Sequence, residues 1–154
     1  MVAGIFDETM LDLRHCEGLA LSREPFCCAV SVHHRLAAKD KLKIEDLYGE
    51  NLMLMRRDWS NYVDRLRDDI WQNHSQIHIV DFDFYSMEAF NRCENSNDVL
   101  LAIPGWANVH PLLKVIPVEW EHSIPFGLLH SPQPSETVKK FLEAAQTAVS
   151  KKGK

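Results

Sequence analysis

The sequence predicts an α/β fold built on a mostly parallel sheet. Three observations carry that expectation. Short apolar runs alternate with stretches whose apolar residues recur at helical spacing, so successive strands are separated by helices. Strands joined through helices need crossovers, which sets them parallel within one sheet. The chain of 154 residues is 45% hydrophobic and 25% charged, an ordinary globular balance at a length that can bury a core.

The elements follow in order. Residues 2–6 are an apolar run ending at Asp7 and Glu8, and read as a buried strand. Residues 26–32, small and β-branched, read as a second strand that stops at His33-His34-Arg35-Leu36-Ala37. Residues 44–50 form one helical turn closed by Gly49, and residues 52–55 are a fully buried strand. Asp58, Trp59 and Ser60 offer helix caps. Tyr62, Val63, Leu66 and Ile70 then recur on one helical face, with Asp64, Arg65, Arg67 and Asp68 on the other. Residues 77–80 are the next strand. Ser86 caps a helix carrying Met87, Phe90 and Cys93, and residues 99–103 are a strand stopped by Pro104-Gly105. Residues 112–118 and 124–129 are the last strands. Pro134-Ser135-Glu136 opens a final helix with Val138, Phe141, Leu142, Ala145 and Val149 in one stripe.

Composition narrows the function. A formal net charge of -5 argues against this chain gripping nucleic acid by itself, because phosphate binding needs a concentrated Lys/Arg surface. The one basic cluster, Lys151, Lys152 and Lys154, reads as a disordered tail over residues 151–154. The opening residues lack the basic and apolar regions of a secretory signal, and no apolar run approaches the roughly 20 residues of a membrane span. A cytoplasmic protein without membrane contact is expected. Cys16, Cys27, Cys28 and Cys93 form no CxxC and fit free thiols in a reducing compartment.

In open α/β sheets ligands bind beyond the carboxyl ends of the strands, at helix N-termini. Three segments meet that rule: Phe6-Asp7-Glu8, Arg57-Asp58-Trp59-Ser60 and Phe84-Tyr85-Ser86.

The order of the pieces resembles the LysR-type effector-binding domain, a periplasmic-binding-protein-like (type 2) fold. Val2-Ala3-Gly4-Ile5 is similar to a strand written D-L-G-I. Residues 25–32 followed by His33-His34-Arg35-Leu36-Ala37 resemble the crossing strand and its H-P-L-A end, with His34 where Pro is common. Residues 44–54 match I-x-x-L-x-G-E-x-L-I-L at Leu47, Gly49, Glu50 and Leu52. Ser86-Met87-Glu88-Ala89 through Leu101-Ala102-Ile103-Pro104 has the length and ends of S-x-E-A followed by A-L-L-P. The likeness spans nearly the whole chain. The family's G-x-G before that last strand is replaced by Asn97 and Val99; Asn97 can still take the left-handed conformation that ends a helix, whereas Val99 implies different backbone packing.

The resemblance implies one complete lobe at 26–119 and a partial lobe from 1–25 and 120–150. The strand-helix-strand-helix opening of the family domain and its winged helix-turn-helix are expected to be missing, which would leave an open sheet edge and favour homo-oligomers, by strand pairing between chains. The implied function is sensing of a small-molecule effector for a transcriptional regulator, through a ligand site between the lobes. DNA would be reached only through a helix-turn-helix outside this chain. Arg57, Asp58, Trp59 and Ser60 would form one wall, Phe84, Tyr85 and Ser86 another, with Phe6 and Asp7 added from the partial lobe. Unpaired N–H groups at a helix start attract a carboxylate and an Arg clamps it, while Trp59 and Tyr85 offer rings for an aromatic effector. Asp58 would repel a carboxylate, which leaves a neutral or cationic effector open.

Blander and competing readings stand beside these. Ser60 and Ser86 can be simple caps, and Arg57 a solvated charge. His74 and His78 lie four apart, but His78 is in a strand-like run, so no metal site is expected. Glu119, Glu121 and His122 suggest acid–base work, yet no nucleophile is placed beside them. No cofactor and no catalytic residue are expected. Trp106 and Trp120 read as packing or interface residues. The runner-up function is a transporter's solute-binding protein of the same fold, and the third is a metal-dependent enzyme.

Overall fold

Among the described residues eight strands form two sheets, accompanied by four α-helices. The structure is a computed structural model and describes residues 2–83 and 85–152. In chain order the elements are β1 (Val2–Ile5), α1 (Glu8–Arg14), β2 (Glu17–Pro25), β3 (Cys27–Ser31), β4 (Asn51–Met55), α2 (Asn61–Asn73), β5 (His78–Phe82), α3 (Met87–Glu94), β6 (Val99–Ala102), β7 (Leu113–Pro117), β8 (Ser123–His130) and α4 (Glu136–Lys152). The chain divides into two compact units, residues 1–24 with 124–154 and residues 25–123.

The first unit holds a three-stranded sheet in the order β1-β8-β2, with β1 antiparallel to β8. Residues 8–14 and 17–25, where the sequence pattern predicts no element, are α1 and β2. The reason they escape pattern reading is visible in their burial. Only Met10 of α1 is fully buried among its described side chains, and β2 alternates irregularly between half-buried and exposed positions. Asp7 caps α1, its Oδ1 accepting the Met10 N–H at 2.9 Å. Gly127 of β8 is required by space: a Cβ there would strike the backbone carbonyl of Leu19.

The second unit holds a five-stranded sheet in the order β5-β4-β6-β3-β7. Here the expectation of a mostly parallel sheet needs correction. β4 pairs parallel with β5 and β6, whereas β3 is antiparallel to both β6 and β7. β3 is reached from outside the unit, not by a crossover from a neighbour, so the requirement that crossovers set strands parallel does not bind it. β3 and β6 are buried along their whole length, which lets the adjacent Cys27 and Cys28 face opposite sides of the sheet and both be inaccessible.

α2 and α3 link the parallel strands. α2 buries Val63, Leu66 and Ile70, each fully inaccessible and each contributing about 1.5–3 kcal/mol. α3 buries Ala89, Phe90 and Cys93, while Met87, expected on that face, is 58% exposed. Ser86 as cap fixes the register and puts the first residue of the helix outward. Arg67 departs from its expected solvated face: its Nη2 reaches back to the Met55 carbonyl at 2.7 Å and its Nη1 to Asp81 at 2.7 Å.

Two motif stretches meet at one joint. Gly49 takes the left-handed φ of 85° that its turn demands. Glu50 accepts from Arg35 Nε at 2.7 Å and meets His34 Nε2 at 3.1 Å, and that nitrogen also lies 3.0 Å from the Asn97 carbonyl. Asn97 therefore acts through its backbone oxygen. It is not among the left-handed residues, which are Gly49, His15 and Asp58 in the described chain, and α3 ends instead at Asn95 with φ of -83°.

Candidate functional site

The carboxyl ends of β4, β5 and β6 lie side by side, since Met55 is in register with Phe82 and Leu52 with Val99. The loops leaving them hold the segments singled out from sequence. The chain also enters and leaves the unit at this end, because Cys27 is in register with Ala102 and with Pro117.

The loop after β4 is shaped by α2. Ser60 is fully buried and its Oγ accepts the Val63 N–H at 3.4 Å. Asp58 sits at φ 78°, a left-handed position, and its N–H donates to Asp64 Oδ2 at 3.1 Å. Burial pushes the Asp64 carboxyl above its ordinary range, and its Oδ1 has no hydrogen-bond partner. The exposed Arg57 guanidinium donates to Asp68 at 2.6 Å, and that hydrogen bond raises its pKa further. Arg56 lies over the Trp59 ring at 5.0 Å and its Nε stands 3.6 Å from Asp83, joining this loop to the next.

The loop after β5 is held by Tyr85. Its hydroxyl donates to the Leu101 carbonyl at 2.6 Å, and its ring meets Trp106 at 4.5 Å and Phe82 at 4.9 Å. Burial pushes the phenol pKa well up. Tyr85 is thus engaged with its own unit. Ser86 caps α3, accepting the Ala89 N–H at 3.2 Å. Phe84 lies outside the described residues. Beside this loop a cleft of about 300 Å³ is lined by Asp81, Asp83, Ser86, Glu88 and Arg92 among others.

The structure thus gathers Arg57, Asp58, Trp59, Ser60, Tyr85 and Ser86 at one end of one sheet. Phe6 and Asp7 belong to the other unit, where Phe6 N–H donates to the Pro125 carbonyl at 3.1 Å and Asp7 caps α1. Sequence reasoning did not place Asp81, Asp83, Glu88 and Arg92 at this cleft. Their only local signal, a run of charges on a helix or strand face, does not distinguish a pocket wall from a solvated surface. The histidines considered for metal are otherwise engaged. His74 meets the Tyr48 hydroxyl at 2.7 Å, and His78 meets Asn51 at 3.1 Å. Among the described residues no group of three or more His, Cys, Asp or Glu is placed to hold a metal. His122, weighed for acid–base work, is instead bonded to Asp69 at 3.0 Å. No described helix is long and apolar enough to cross a membrane.

With this geometry in hand, comparison with known proteins assigns the family. The family described as the LysR substrate binding domain matches residues 5–150. The chain belongs to that family. The LysR substrate-binding fold also appears in solved structures similar to this chain. The effector-binding domain of QuiR in complex with shikimate is 16% identical, with 96% of this chain and 70% of that one covered at a TM-score of 0.67. The regulatory domain of CcmR from Synechocystis PCC6803 in complex with 2-PG is 12% identical, with 87% and 67% covered at a TM-score of 0.60. CbnR, a LysR family transcriptional regulator, is 14% identical, with 88% of this chain but 48% of that one covered at a TM-score of 0.67. At such identities the likeness shows the fold alone. No curated protein matches the chain by sequence.

Proposed function

We propose that this chain is the effector-sensing part of a LysR-type transcriptional regulator. It takes a small molecule at the carboxyl end of the five-stranded sheet and carries out no bond chemistry. The observation that carries the reading is the coincidence of the family match over residues 5–150 with two capped helix starts, at Ser60 and Ser86, on loops from adjacent parallel strands. The effector wall consists of Arg57, Asp58 and Trp59 at the α2 start that the buried Ser60 caps, with Asp83 and Ser86 on the neighbouring loop. QuiR and CcmR, with shikimate and 2-PG in their complexes, support a small ligand as partner.

The two units correspond to the lobes of the family domain, residues 25–123 forming the larger. Effector binding changes the balance between two conformations by its differential affinity for them. DNA is contacted through a helix-turn-helix outside this chain, by a homo-oligomer in the cytoplasm.

The test is thermal unfolding of the purified chain with a panel of ligands: shikimate, benzoate, neutral sugars and diamines. A ligand at one hundred times its Kd adds about 2.7 kcal/mol, a rise of roughly 5–10 °C for a chain of this size. The expected result is a rise with one class of ligand that disappears in Arg57→Gln while the ligand-free midpoint stays within about 2 °C. A rise undiminished by changes at Arg57, Asp83 and Ser86 would place the ligand elsewhere, and no response to any class would remove the sensing role.

A further inference from the structure

The chain passes between its two units at residues 24–25 and 123–124. On the side of the five-stranded sheet these two connecting segments are tied to each other. Trp120 Nε1–H donates to the Phe26 carbonyl at 2.7 Å, and the Phe26 N–H donates to the His122 carbonyl at 2.9 Å. The Trp120 and His122 rings meet nearly edge to face, with centroids 5.8 Å apart. They are also tied to α2, because His122 Nε2 meets Asp69 Oδ2 at 3.0 Å. Asn73 holds the other oxygen of Asp69 at 2.8 Å.

The neighbour of Asp69 in sequence is Asp68, and Asp68 takes Arg57 at 2.6 Å. Two adjacent carboxylates on one helix therefore hold the loop after β4 and the connecting segment. They point about 100° apart around the helix axis, so a shift of the helix pulls on both. α2 is capped by Ser60 and seated by Val63, Leu66 and Ile70, so both carboxylates are fixed on one packed element. Arg57 is exposed and half accessible, so an anion that engages it competes directly with Asp68.

We propose that α2 is the link by which occupancy of the loop at residues 57–60 reaches the connecting segment, through Arg57–Asp68 at one side and Asp69–His122 at the other. Its regulatory meaning rests on the effector reading of that loop. The link itself exists without ligand and is tested without one. A claim of coupling needs a measured dependence of one contact on the other, which a double-variant comparison supplies.

The readout is the Trp120 indole N–H resonance of the full chain, identified among the four tryptophans by Trp120→Phe. Asp69→Ala is expected to displace this resonance and to speed amide exchange at Phe26 at least tenfold. Arg57→Gln is expected to displace the same resonance by a smaller amount. In the double variant the added effect of Arg57→Gln should vanish, because the link is already cut. His122→Phe cuts the link from the other side, removing the nitrogen that meets Asp69 while keeping a ring against Trp120, and serves should Asp69→Ala not fold. An unmoved Trp120 resonance in Arg57→Gln overturns the proposal, as does a displacement that persists undiminished in the Asp69→Ala or His122→Phe background. Failure of ligands to raise the unfolding midpoint would sink the effector reading while leaving these ligand-free spectra as they are, so the two failures are distinguishable.

Discussion

His34 offers the sharpest test of how the larger unit is held together. The residue is only 7% exposed and its ring makes three polar contacts. Nδ1 accepts the Leu36 N–H at 3.0 Å and so caps the short 3-10 turn Arg35–Ala38. Because Nδ1 accepts, the ring proton sits on Nε2, between Glu50 Oε2 at 3.1 Å and the Asn97 carbonyl at 3.0 Å. His34→Ala leaves the Leu36 N–H, in a residue with no accessible surface, without its partner, at about 1–3 kcal/mol. The lost donor to Glu50 and Asn97 adds roughly 1 kcal/mol, since Arg35 still holds Glu50. The expected total is about 3 kcal/mol. His34→Asn places an oxygen near the Nδ1 position and keeps the cap, but is too short to span Glu50 and Asn97, so about 1 kcal/mol should go. Trp59, Trp71, Trp106 and Trp120 are all within residues 25–123, so tryptophan fluorescence reports this unit alone. Alanine should lower the thermal midpoint by about 6–12 °C and asparagine by about 2–4 °C. Equal losses for the two variants would show that the cap bond contributes nothing. A loss below about 1 kcal/mol for alanine would show that water replaces the joint.

Two glycines should respond differently to alanine. At Gly127 the added Cβ meets the Leu19 carbonyl, so Gly127→Ala should disrupt the three-stranded sheet, seen as lost amide protection in β1, β2 and β8. At Gly49 nothing lies within 4 Å, so only the left-handed φ is strained and Gly49→Ala should cost about 1–2 kcal/mol in a urea melt. Thiol labelling of the native chain should stop at the half-buried Cys16. Cys27, Cys28 and Cys93 are buried; burial raises the Cys28 thiol well above its usual range and pushes Cys93 up to about 12, and all four should label in denaturant. The His122 hydrogen bond, followed by that of Asn73, holds the Asp69 carboxyl below its ordinary range. Its folded pKa is depressed, so its stabilisation is complete above the unfolded value near 3.9 and is lost as pH falls through the folded value. The stability gap between the native chain and Asp69→Asn, measured by denaturant melts, should therefore close as pH drops below about 4; a constant gap would contradict this.

How much was legible in the sequence depended on how local each signal was. Strands with continuous apolar runs, such as residues 52–55 and 99–103, and helices with a capping serine and a 3.6-residue stripe, such as α2 and α3, carry their evidence within a dozen residues. The motif residues Leu47, Gly49 and Glu50 were also readable, and so was the position of residues 57–60 and 85–86 just beyond strand ends. Chain pattern does not encode partners far away. His122 finds Asp69 across 53 positions, Trp120 finds Phe26 across 94, and Lys114 finds the Ala37 carbonyl across 77.

The sequence by itself determined the order of most elements and the capping of α2 and α3, because periodicity and caps act through neighbours on one turn or one strand; the family was legible as a resemblance carried by motif residues such as Leu47, Gly49 and Glu50. The tertiary structure decided the rest. It set β3 antiparallel between β6 and β7, formed α1 and β2 from residues with no clean period, and turned Tyr85 inward to the Leu101 carbonyl. It also drew Arg67 from an apparently solvated face to the end of β4. In each case the deciding energy is a contact made only after the sheet exists, which a local pattern does not contain.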